Sequence, residues 1–383
     1  MAIKIVIASD SFKGSLTSAE VAAAAAAGIN EVLPSAEVIQ LAVADGGEGT
    51  ADTMVRSLGG EWVSCDVDDP LGRPISVAYG MVETPAGMTA LIDMSSASGL
   101  TLLADSERDP MVTTTIGTGQ MIVDAYNRGC RNFVVGIGGS ATCDGGSGML
   151  TALGFRFLDK DGRELPPGGG ALLSLASIDT SDAMIDITGC RFVIISDVTN
   201  PLYGPDGAAC VFGPQKGASP EMVASLDKAL RRYAEAVRAA TGRDVADKPG
   251  AGAAGGLGEA FLAFFNSELK PGVDAVLDLV DFDSAVEGAS LVITGEGRID
   301  SQTLFGKLPL GVCSRAAVAG VPTVAIAGMV AEPVSLLKGG FAGVFPILRR
   351  VVPLDKALSK EEAAENVAAI TASIAKFYYS LTH

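Results

Sequence analysis

Five apolar runs of this sequence each end in a loop that combines glycine with hydroxyl and charged side chains. The loops begin at about Ser9, Ala44, Gly136, Ser196 and Thr294. In an open parallel α/β sheet, ligands bind outside the carboxyl ends of the strands, so loops in these positions would share one edge. Glycine lets a ligand approach backbone N–H groups, and such groups bind anions, above all phosphate. The pattern therefore predicts an active site that handles an anion.

Carboxylates are the expected proton acceptors and metal ligands of this site. The one histidine is His383, which excludes a Ser-His-Asp triad and a three-histidine zinc site. Asp197 is the first candidate for the general base or a Mg²⁺ ligand, and Asp300 is the second. Asp45 and Asn200 are further candidate Mg²⁺ ligands. The alternative for each aspartate is the capping of a turn or a helix.

Three cations in these loops are candidates for neutralising phosphate or carboxylate charge. Lys13 and Arg298 are predicted catalytic residues, and Lys307 is a predicted ligand of substrate or phosphate. An arginine can bind either oxyanion through two parallel hydrogen bonds. Arg298 is a stronger candidate than Lys307, because it lies between a glycine and Asp300. Solvated surface charge is the alternative for each of the three.

The segment with the most glycine is the predicted phosphate loop. Glycine occupies six of the thirteen positions from 136 to 148, directly after an apolar run. Gly138, Gly139, Ser140 and Thr142 are its predicted ligand-binding residues. A structural turn with a close helix–strand contact is the alternative. The other predicted substrate- or phosphate-binding residues lie in the remaining loops: Asp10, Ser11, Gly46, Gly47, Gly295, Gln302 and Lys307.

One nucleotide-binding signature is absent from the sequence and another is present. The Gly306-Lys307 pair has Ser301 where a Walker P-loop has glycine, so no P-loop is predicted. The pattern GxGxxA occurs at 136–141, and Asp159 follows at a suitable interval, as is typical of dinucleotide-binding sites. Two functions therefore stay open: an NAD-dependent oxidoreductase of a small hydroxy acid and a non-catalytic anion-binding protein.

The elements that must position these loops follow from hydrophobic periodicity. Apolar runs alternate with helical patterns, which predicts βαβ units and a mostly parallel sheet. A capping box at 17–20 opens a helix. The segments from 65 to 99 predict hairpins, as do 155–158 with 163–165, and 248–258 is a predicted loop. Strands are expected at 4–9, 37–43, 132–137, 191–196, 291–294, 323–327 and 343–347, and further helices at 50–58, 118–128, 221–241 and 361–379.

The distribution of these elements predicts two domains. The first and last parts of the chain alternate strands and helices, whereas the middle differs. We therefore expect a discontinuous outer domain, residues 1–66 plus 287–383, into which an α/β domain of residues 67–286 is inserted. The inserted domain carries the glycine-rich phosphate loop.

The composition of the chain limits which binding partners and which cellular compartment are expected. The net charge of −17 would repel a nucleic-acid backbone, so no nucleic acid is expected as a partner. The six cysteines form no CxxC pair and fit reduced thiols better than disulfides or a zinc site. No run of about 18 apolar residues occurs, and no signal-peptide pattern. We expect a cytoplasmic protein with no membrane span, and a homo-oligomer stays open.

Eight stretches of the sequence carry a resemblance to a known family. They are DSFKGS at 10–15, ADGGEGT at 44–50, DPLGRP at 69–74, GGSAT with DGG at 138–146, DVTNPL at 197–202, FGPQKG at 212–217, GAAGGLG at 252–258, and 293–307. In this order, over nearly the whole chain, the sequence resembles the bacterial glycerate kinase family, of the type related to glycerate 2-kinases.

This resemblance implies a fold and an activity. The implied fold is two α/β domains, one a discontinuous Rossmann- or flavodoxin-like parallel-sheet domain and the other an inserted mixed α/β domain, with the active site in the cleft between them. The implied reaction uses ATP and Mg²⁺ and phosphorylates a hydroxyl of D-glycerate, with 2-phosphoglycerate favoured over 3-phosphoglycerate. Cys143 departs from the family pattern, in which asparagine is expected, so the loop backbone is expected to make any contact there.

Overall fold

The computed structural model describes residues 3–44, 50–183, 186 and 189–382, and over these the α/β class is confirmed. The strands are β1 Lys4–Ser9, β2 Glu37–Ala42, β3 Glu61–Asp68, β4 Pro74–Thr84, β5 Gly87–Asp93, β6 Asn132–Gly136, β7 Arg156–Leu158, β8 Ser177–Asp179, β9 Arg191–Ile195, β10 Ser267–Lys270, β11 Leu291–Ile299, β12 Thr323–Val330 and β13 Gly343–Pro346.

Helices alternate with these strands along most of the chain. They are α1 Ser18–Val32, α2 Thr50–Ser57, α3 Ser95–Ser98, α4 Ile116–Asn127, α5 Ser147–Ala152, α6 Ala208–Phe212, α7 Pro220–Thr241, α8 Leu257–Phe264, α9 Gly272–Leu279, α10 Phe282–Val286, α11 Leu308–Val318, α12 Pro333–Lys338, α13 Leu354–Ala357 and α14 Lys360–Thr382. Within the described ranges, none of these helices combines the length and the apolar character that a membrane span requires.

The chain divides into two compact units. The first comprises Met1–Leu58 and Gly272–His383, and the second comprises Gly59–Pro271. The boundaries differ from those expected at 66/67 and 286/287. Strand β3 belongs to the second unit because it pairs antiparallel with β4. Helices α9 and α10 belong to the first unit, because Arg315 of α11 forms ion pairs with carboxylates on both.

The first unit contains a parallel sheet in the strand order β2-β1-β11-β12-β13. Numbered by chain order within the unit, this is the order 2-1-3-4-5 of flavodoxin-like folds, so that prediction is confirmed. The side chains of Ile5, Ile7 and Ile293 are fully buried in the core of this unit. The strand order reverses between β1 and β11, and ligands of this fold bind outside the carboxyl ends of the strands at such a reversal.

The helix that follows β1 begins at the predicted capping box. The hydroxyl of Thr17 accepts a hydrogen bond from the backbone N–H of Glu20, and the Glu20 carboxylate accepts one from the backbone N–H of Thr17. Two backbone donors of the first turn are thereby satisfied. The cap fixes where the loop 10–16 ends and where α1 starts.

The second unit contains a mixed sheet in the strand order β10-β9-β6-β5-β4-β3. The strands from β10 to β5 are parallel, and β5, β4 and β3 form the predicted antiparallel hairpins. The hairpin expected at 155–165 forms only in part, since Leu158 and Glu164 share one isolated bridge. The main partner of β7 is β8, with Phe157 opposite Ile178.

Candidate active site

The carboxyl end of β1 lies beside Gly295 of β11, and this brings three predicted site residues together. The backbone N–H of Asp10 donates to the carbonyl of Gly295 at 2.9 Å. The Asp10 side chain is buried and accepts a hydrogen bond from the backbone N–H of Ser11 at 2.6 Å. A Cβ atom on Gly295 would overlap the carbonyl of Ile326, so this buried glycine is required by strand packing. The end of β1 thus contacts β11 at the flavodoxin-like reversal, and β11 continues beyond this contact to Ile299.

A tight loop presents Lys13 beside this edge. Phe12 and Leu16 pair across the base of the loop, with the Phe12 N–H donating to the Leu16 carbonyl at 2.8 Å. Lys13 is exposed at its tip. Gly297 of β11 lies next to this loop, because a Cβ atom built on it would be in ordinary contact with the backbone nitrogen of Lys13, at 3.4 Å. The exposed ammonium is free to reach a ligand at the strand ends.

Glu296, which was not among the predicted site residues, lies at the same edge. Its carboxylate accepts a hydrogen bond from Thr303 Oγ1 at 2.7 Å and lies 3.5 Å from Lys307 Nζ. Burial raises the pKa of Glu296, while the Thr303 hydrogen bond and the Lys307 charge oppose that rise. A partly buried carboxylate with a raised pKa, next to Gly295 on β11, is a candidate general base. The sequence signal was its place between Gly295 and Gly297.

Arg298 and Asp300, both predicted to be catalytic, contact each other. Arg298 Nε lies 3.0 Å from Asp300 Oδ2. The other oxygen of Asp300 accepts the backbone N–H of Gln302 at 3.0 Å and caps the short 3₁₀ turn Ser301–Leu304. Asp300 therefore has the capping role that was the alternative interpretation. The catalytic roles of Arg298 and Asp300 stay predictions. Gln302, a predicted ligand of substrate or phosphate, is exposed.

Three predicted residues cannot be placed in this site. Asp45, Gly46 and Gly47 lie outside the described residues. Helix α2, which follows them, begins at Thr50 as predicted.

In the second unit, Gly138 and Asp197 follow neighbouring parallel strands. Gly136 of β6 is in register with Ile195 of β9, and the Ile137 N–H donates to the Ile195 carbonyl at 3.3 Å. Asp197 is exposed. Two of the predicted strand-end loops thus share one edge of this sheet as well.

Asn200, which lies in the loop after Asp197, is fixed by one side-chain and one backbone hydrogen bond. Its side-chain amide donates to the carbonyl of Asp206 at 2.8 Å, and its backbone carbonyl accepts the N–H of Gly252 at 3.0 Å. The amide hydrogen bond uses the nitrogen and leaves the side-chain oxygen available as a ligand atom.

Only the first part of the predicted phosphate loop is exposed. Gly138 and Gly139 are accessible, whereas residues 140–150 are buried. Gly139 has φ 69°, which favours glycine, and no described atom would lie within 4 Å of a Cβ at Gly138. Thr142 is fully buried, so the structure does not bring its hydroxyl to the surface. Cys143 is fully buried too, in agreement with the expectation that its side chain does not contact a ligand.

Asp144 fixes the buried part of this loop. Its carboxylate accepts hydrogen bonds from the backbone and side chain of Thr115, at 2.8 and 2.9 Å, and from the N–H groups of Gly146 and Gly148. Complete burial raises the pKa of Asp144, and these hydrogen bonds oppose the rise. The carboxylate therefore acts as a structural acceptor that holds the turn before α5.

The geometry of a dinucleotide-binding fingerprint is not formed at 136–141. Helix α5 begins at Ser147, beyond the motif, whereas the fingerprint requires the helix to start within it. Asp159, the expected ribose ligand, accepts the backbone N–H groups of Asp161 and Arg163 in a tight turn. The NAD-dependent alternative thus loses its structural basis.

Lys216 is a buried cation behind the glycine loop that sequence reasoning did not assign. It is 2% exposed, and its ammonium donates to Ser140 Oγ and to the Thr142 carbonyl, both at 2.7 Å. Burial lowers the pKa of Lys216. The residue lies in the stretch 212–217 that carries the family resemblance, which was the only available signal.

The predicted magnesium ligands have suitable chemistry. Asp197 and Asn200 offer a carboxylate and an amide oxygen, which Mg²⁺ accepts. In the described part of the chain, no three His, Cys, Asp or Glu side chains form a metal-binding group.

Comparison with known proteins decides the family. A sequence model described as the glycerate kinase family matches residues 5–379. The chain belongs to this family. The resemblance inferred from the sequence is confirmed, and membership of the family makes the protein an enzyme, a kinase.

Relatives of the family match the chain over almost its whole length. A protein of Bacillus subtilis (strain 168) named glycerate kinase is 46% identical over 364 residues, which cover 95% of this chain and 94% of the relative. A protein of Escherichia coli (strain K12) named glycerate 2-kinase is 43% identical over 374 residues, 97% of each chain. A crystal structure from Salmonella typhimurium LT2, described as that of a "putative glycerate kinase 2", has a TM-score of 0.85 and 43% identity, and the match covers 99% of both chains.

Proposed function

We propose that the protein transfers the γ-phosphoryl group of ATP to a hydroxyl of D-glycerate, forming phosphoglycerate and ADP. The family match over residues 5–379 carries this proposal. The exposed Lys13 and the carboxylate of Glu296 at the β1/β11 reversal support it. Phosphoryl transfer depends mainly on positioning and charge neutralisation, which such strand-end loops can provide.

The 2-hydroxyl is the proposed acceptor. The Escherichia coli relative, 43% identical, is named a glycerate 2-kinase. Phosphorus NMR of the product tests this choice, because the phosphorus of 2-phosphoglycerate couples to one carbon-bound proton and that of 3-phosphoglycerate couples to two. A doublet supports the 2-hydroxyl, and a triplet-like signal would assign the 3-hydroxyl.

Charge neutralisation, proton transfer and metal binding are assigned to different side chains. Lys13 and Arg298 neutralise charge on the transferred group, and the ion pair with Asp300 orients Arg298. Asp197 accepts the proton of the attacking hydroxyl or holds the metal. If Asp197 holds the metal, Glu296 joins Asp300 as a candidate base, because burial raises the pKa of Glu296.

Asp197 and Asn200 are the proposed magnesium ligands. Bound Mg²⁺ would neutralise charge on the nucleotide phosphates. The protein's own part is to hold two oxygen atoms at the end of β9, where the Asn200 amide is fixed by its hydrogen bond to Asp206.

The cytoplasm is the proposed location. All six cysteines are free thiols, four of them buried. Free thiols fit the reducing conditions of that compartment, and nucleotide-dependent metabolic kinases operate where ATP is supplied.

A further inference from the structure

Lys216 is built into the interior of the second unit in a way that packing alone does not explain. It ends a 3₁₀ turn, Pro214–Lys216, and the following Gly217 packs against the backbone of Arg108. This fixed turn places the ammonium behind the exposed glycines of the 138–142 loop, where it donates to Ser140 Oγ and the Thr142 carbonyl. A buried ammonium is strongly unfavourable unless an anion compensates its charge.

The described residues do not supply that anion at contact distance. No carboxylate among them lies within 4.0 Å of the Lys216 ammonium, and its electrostatic partners are Cys143 and Asp144. The Asp144 carboxylate is already occupied by hydrogen bonds from Thr115, Gly146 and Gly148. The positive charge of Lys216 is therefore only partly balanced within the unit.

The hydroxyl of Ser140 lies between the Lys216 ammonium, from which it accepts a hydrogen bond, and the exposed glycines Gly138 and Gly139. An ammonium has only protons to offer, so Ser140 Oγ accepts from Lys216, and its own proton must point elsewhere. No acceptor for that proton lies within hydrogen-bond distance among the described residues, although Ser140 is only 6% exposed. The backbone around it is fixed by the bonds from Ala141 N–H to Ser98 and from Leu100 N–H to Gly139.

We propose that Lys216 is a positioning residue that turns the Ser140 hydroxyl into a donor for an oxyanion bound at Gly138–Ser140. The ligand is a phosphate group of the nucleotide or the carboxylate of the acid substrate. This inference rests on the proposed function and names the residue that polarises its anion site. Lys216 acts through Ser140 and does not itself contact the ligand.

Binding measured by calorimetry separates this role from a structural one. The probes are ATP, D-glycerate and inorganic phosphate, each titrated alone into the full-length protein over a pH series. Because burial lowers the pKa of Lys216, affinity for the oxyanion should fall with rising pH earlier than for an ordinary lysine. Weakening of ATP and phosphate binding assigns the site to phosphate, and weakening of D-glycerate binding assigns it to carboxylate.

Lys216→Met and Ser140→Ala are the test variants, and Lys228→Met is the matched control. Lys228 is an exposed lysine on α7 of the same unit, so its loss changes the net charge equally. We expect Lys216→Met to weaken one probe class on the order of tenfold and to abolish the alkaline fall in affinity. Ser140→Ala should weaken the same probe and should also lose the alkaline fall, because Lys216 acts on the ligand through this hydroxyl. Lys228→Met should match the wild type.

A folded Lys216→Met protein that binds every probe with wild-type affinity would overturn the proposal. So would a folded Lys216→Met protein in which the affinity still falls at alkaline pH as it does in the wild type. If Lys216→Met does not fold, wild-type affinities in Ser140→Ala decide against it. Failure of the wild type to release ADP in the presence of D-glycerate would refute the kinase proposal instead, since the phosphate titrations require no turnover.

Discussion

Glu259 on α8 should make the second unit less stable as the pH rises. Its side chain is 1% exposed, and Oε2 has no hydrogen-bond partner among the described residues. Burial, with a smaller contribution from Asp244, raises the pKa of Glu259 from 4.5 to about 8. The folded protein therefore holds this proton more tightly than the unfolded chain does. The stability gained is fully present below pH 4.5 and is lost as the pH rises through about 8.

The size of the effect follows from the two pKa values. A rise from 4.5 to about 8, at about 1.4 kcal/mol for each pH unit, corresponds to about 5 kcal/mol in the free energy of unfolding. Glu259→Gln keeps the shape of the side chain and cannot ionise, so it should lose this part of the pH dependence. At pH 8 to 9 the variant should be more stable than the wild type. Burial also raises the pKa of Asp144, so some pH dependence should remain in the variant.

Urea unfolding followed by tryptophan fluorescence measures the stability of the second unit, which contains Glu259. The only tryptophan of the chain, Trp62, lies on β3 of the second unit. Unfolding curves of the wild type, Glu259→Gln and the control Glu235→Gln, an exposed carboxylate on α7, should be recorded at pH 5, 6.5, 8 and 9. Equal pH dependence of unfolding in Glu259→Gln and wild type, to within about 1 kcal/mol, would refute the reasoning.

Three substitutions test the predicted site residues. Lys13→Ala should lower kcat on the order of 10² without changing the melting temperature, because an exposed charge that contacts phosphate is lost; near-wild-type kcat at saturating substrate would assign Lys13 to the surface. Asp197→Asn should abolish kcat with nucleotide affinity intact if Asp197 is the base, or be rescued by high Mg²⁺ if it is a ligand, and full activity would exclude both roles. Gly139→Val should abolish ATP binding, because φ is 69° and a branched side chain would block phosphate; unchanged affinity of the folded variant by calorimetry would show that the loop does not bind phosphate.

Elements with a strong local pattern were predictable from the sequence. β1 was predicted at 4–9 and is observed at Lys4–Ser9, because an apolar run stops at a polar loop. The Thr17 cap of α1 was predictable for the same local reason. β10, Ser267–Lys270, was missed because half of its residues are charged and it pairs with a single neighbour. Segment 248–258 was predicted as a loop, but α8 begins within it, at Leu257.

The candidate site was only partly predictable, because its contacts join distant parts of the chain. Lys216 and Ser140 are 76 positions apart, and no local pattern distinguishes a buried lysine from a solvated one. The hydrogen bonds that Asp144 accepts likewise come in part from Thr115, which precedes α4 and lies 29 positions earlier in the chain. By contrast, Asp10 and Gly295 were predicted to share an edge, since both were expected to follow apolar strands of a parallel sheet, and they are hydrogen-bonded to each other. The strand expected at 291–294 is longer than predicted, however, and β11 continues through Gly295 to Ile299.

Release of ADP tests the central claim most directly. The purified protein is incubated with ATP and Mg²⁺ in three parallel reactions, with D-glycerate, with L-glycerate and with no acceptor. We predict rapid ADP formation only with D-glycerate, accompanied by an equal amount of phosphoglycerate. ADP formation that does not depend on D-glycerate, or no ADP formation by the folded protein, would contradict the proposed function.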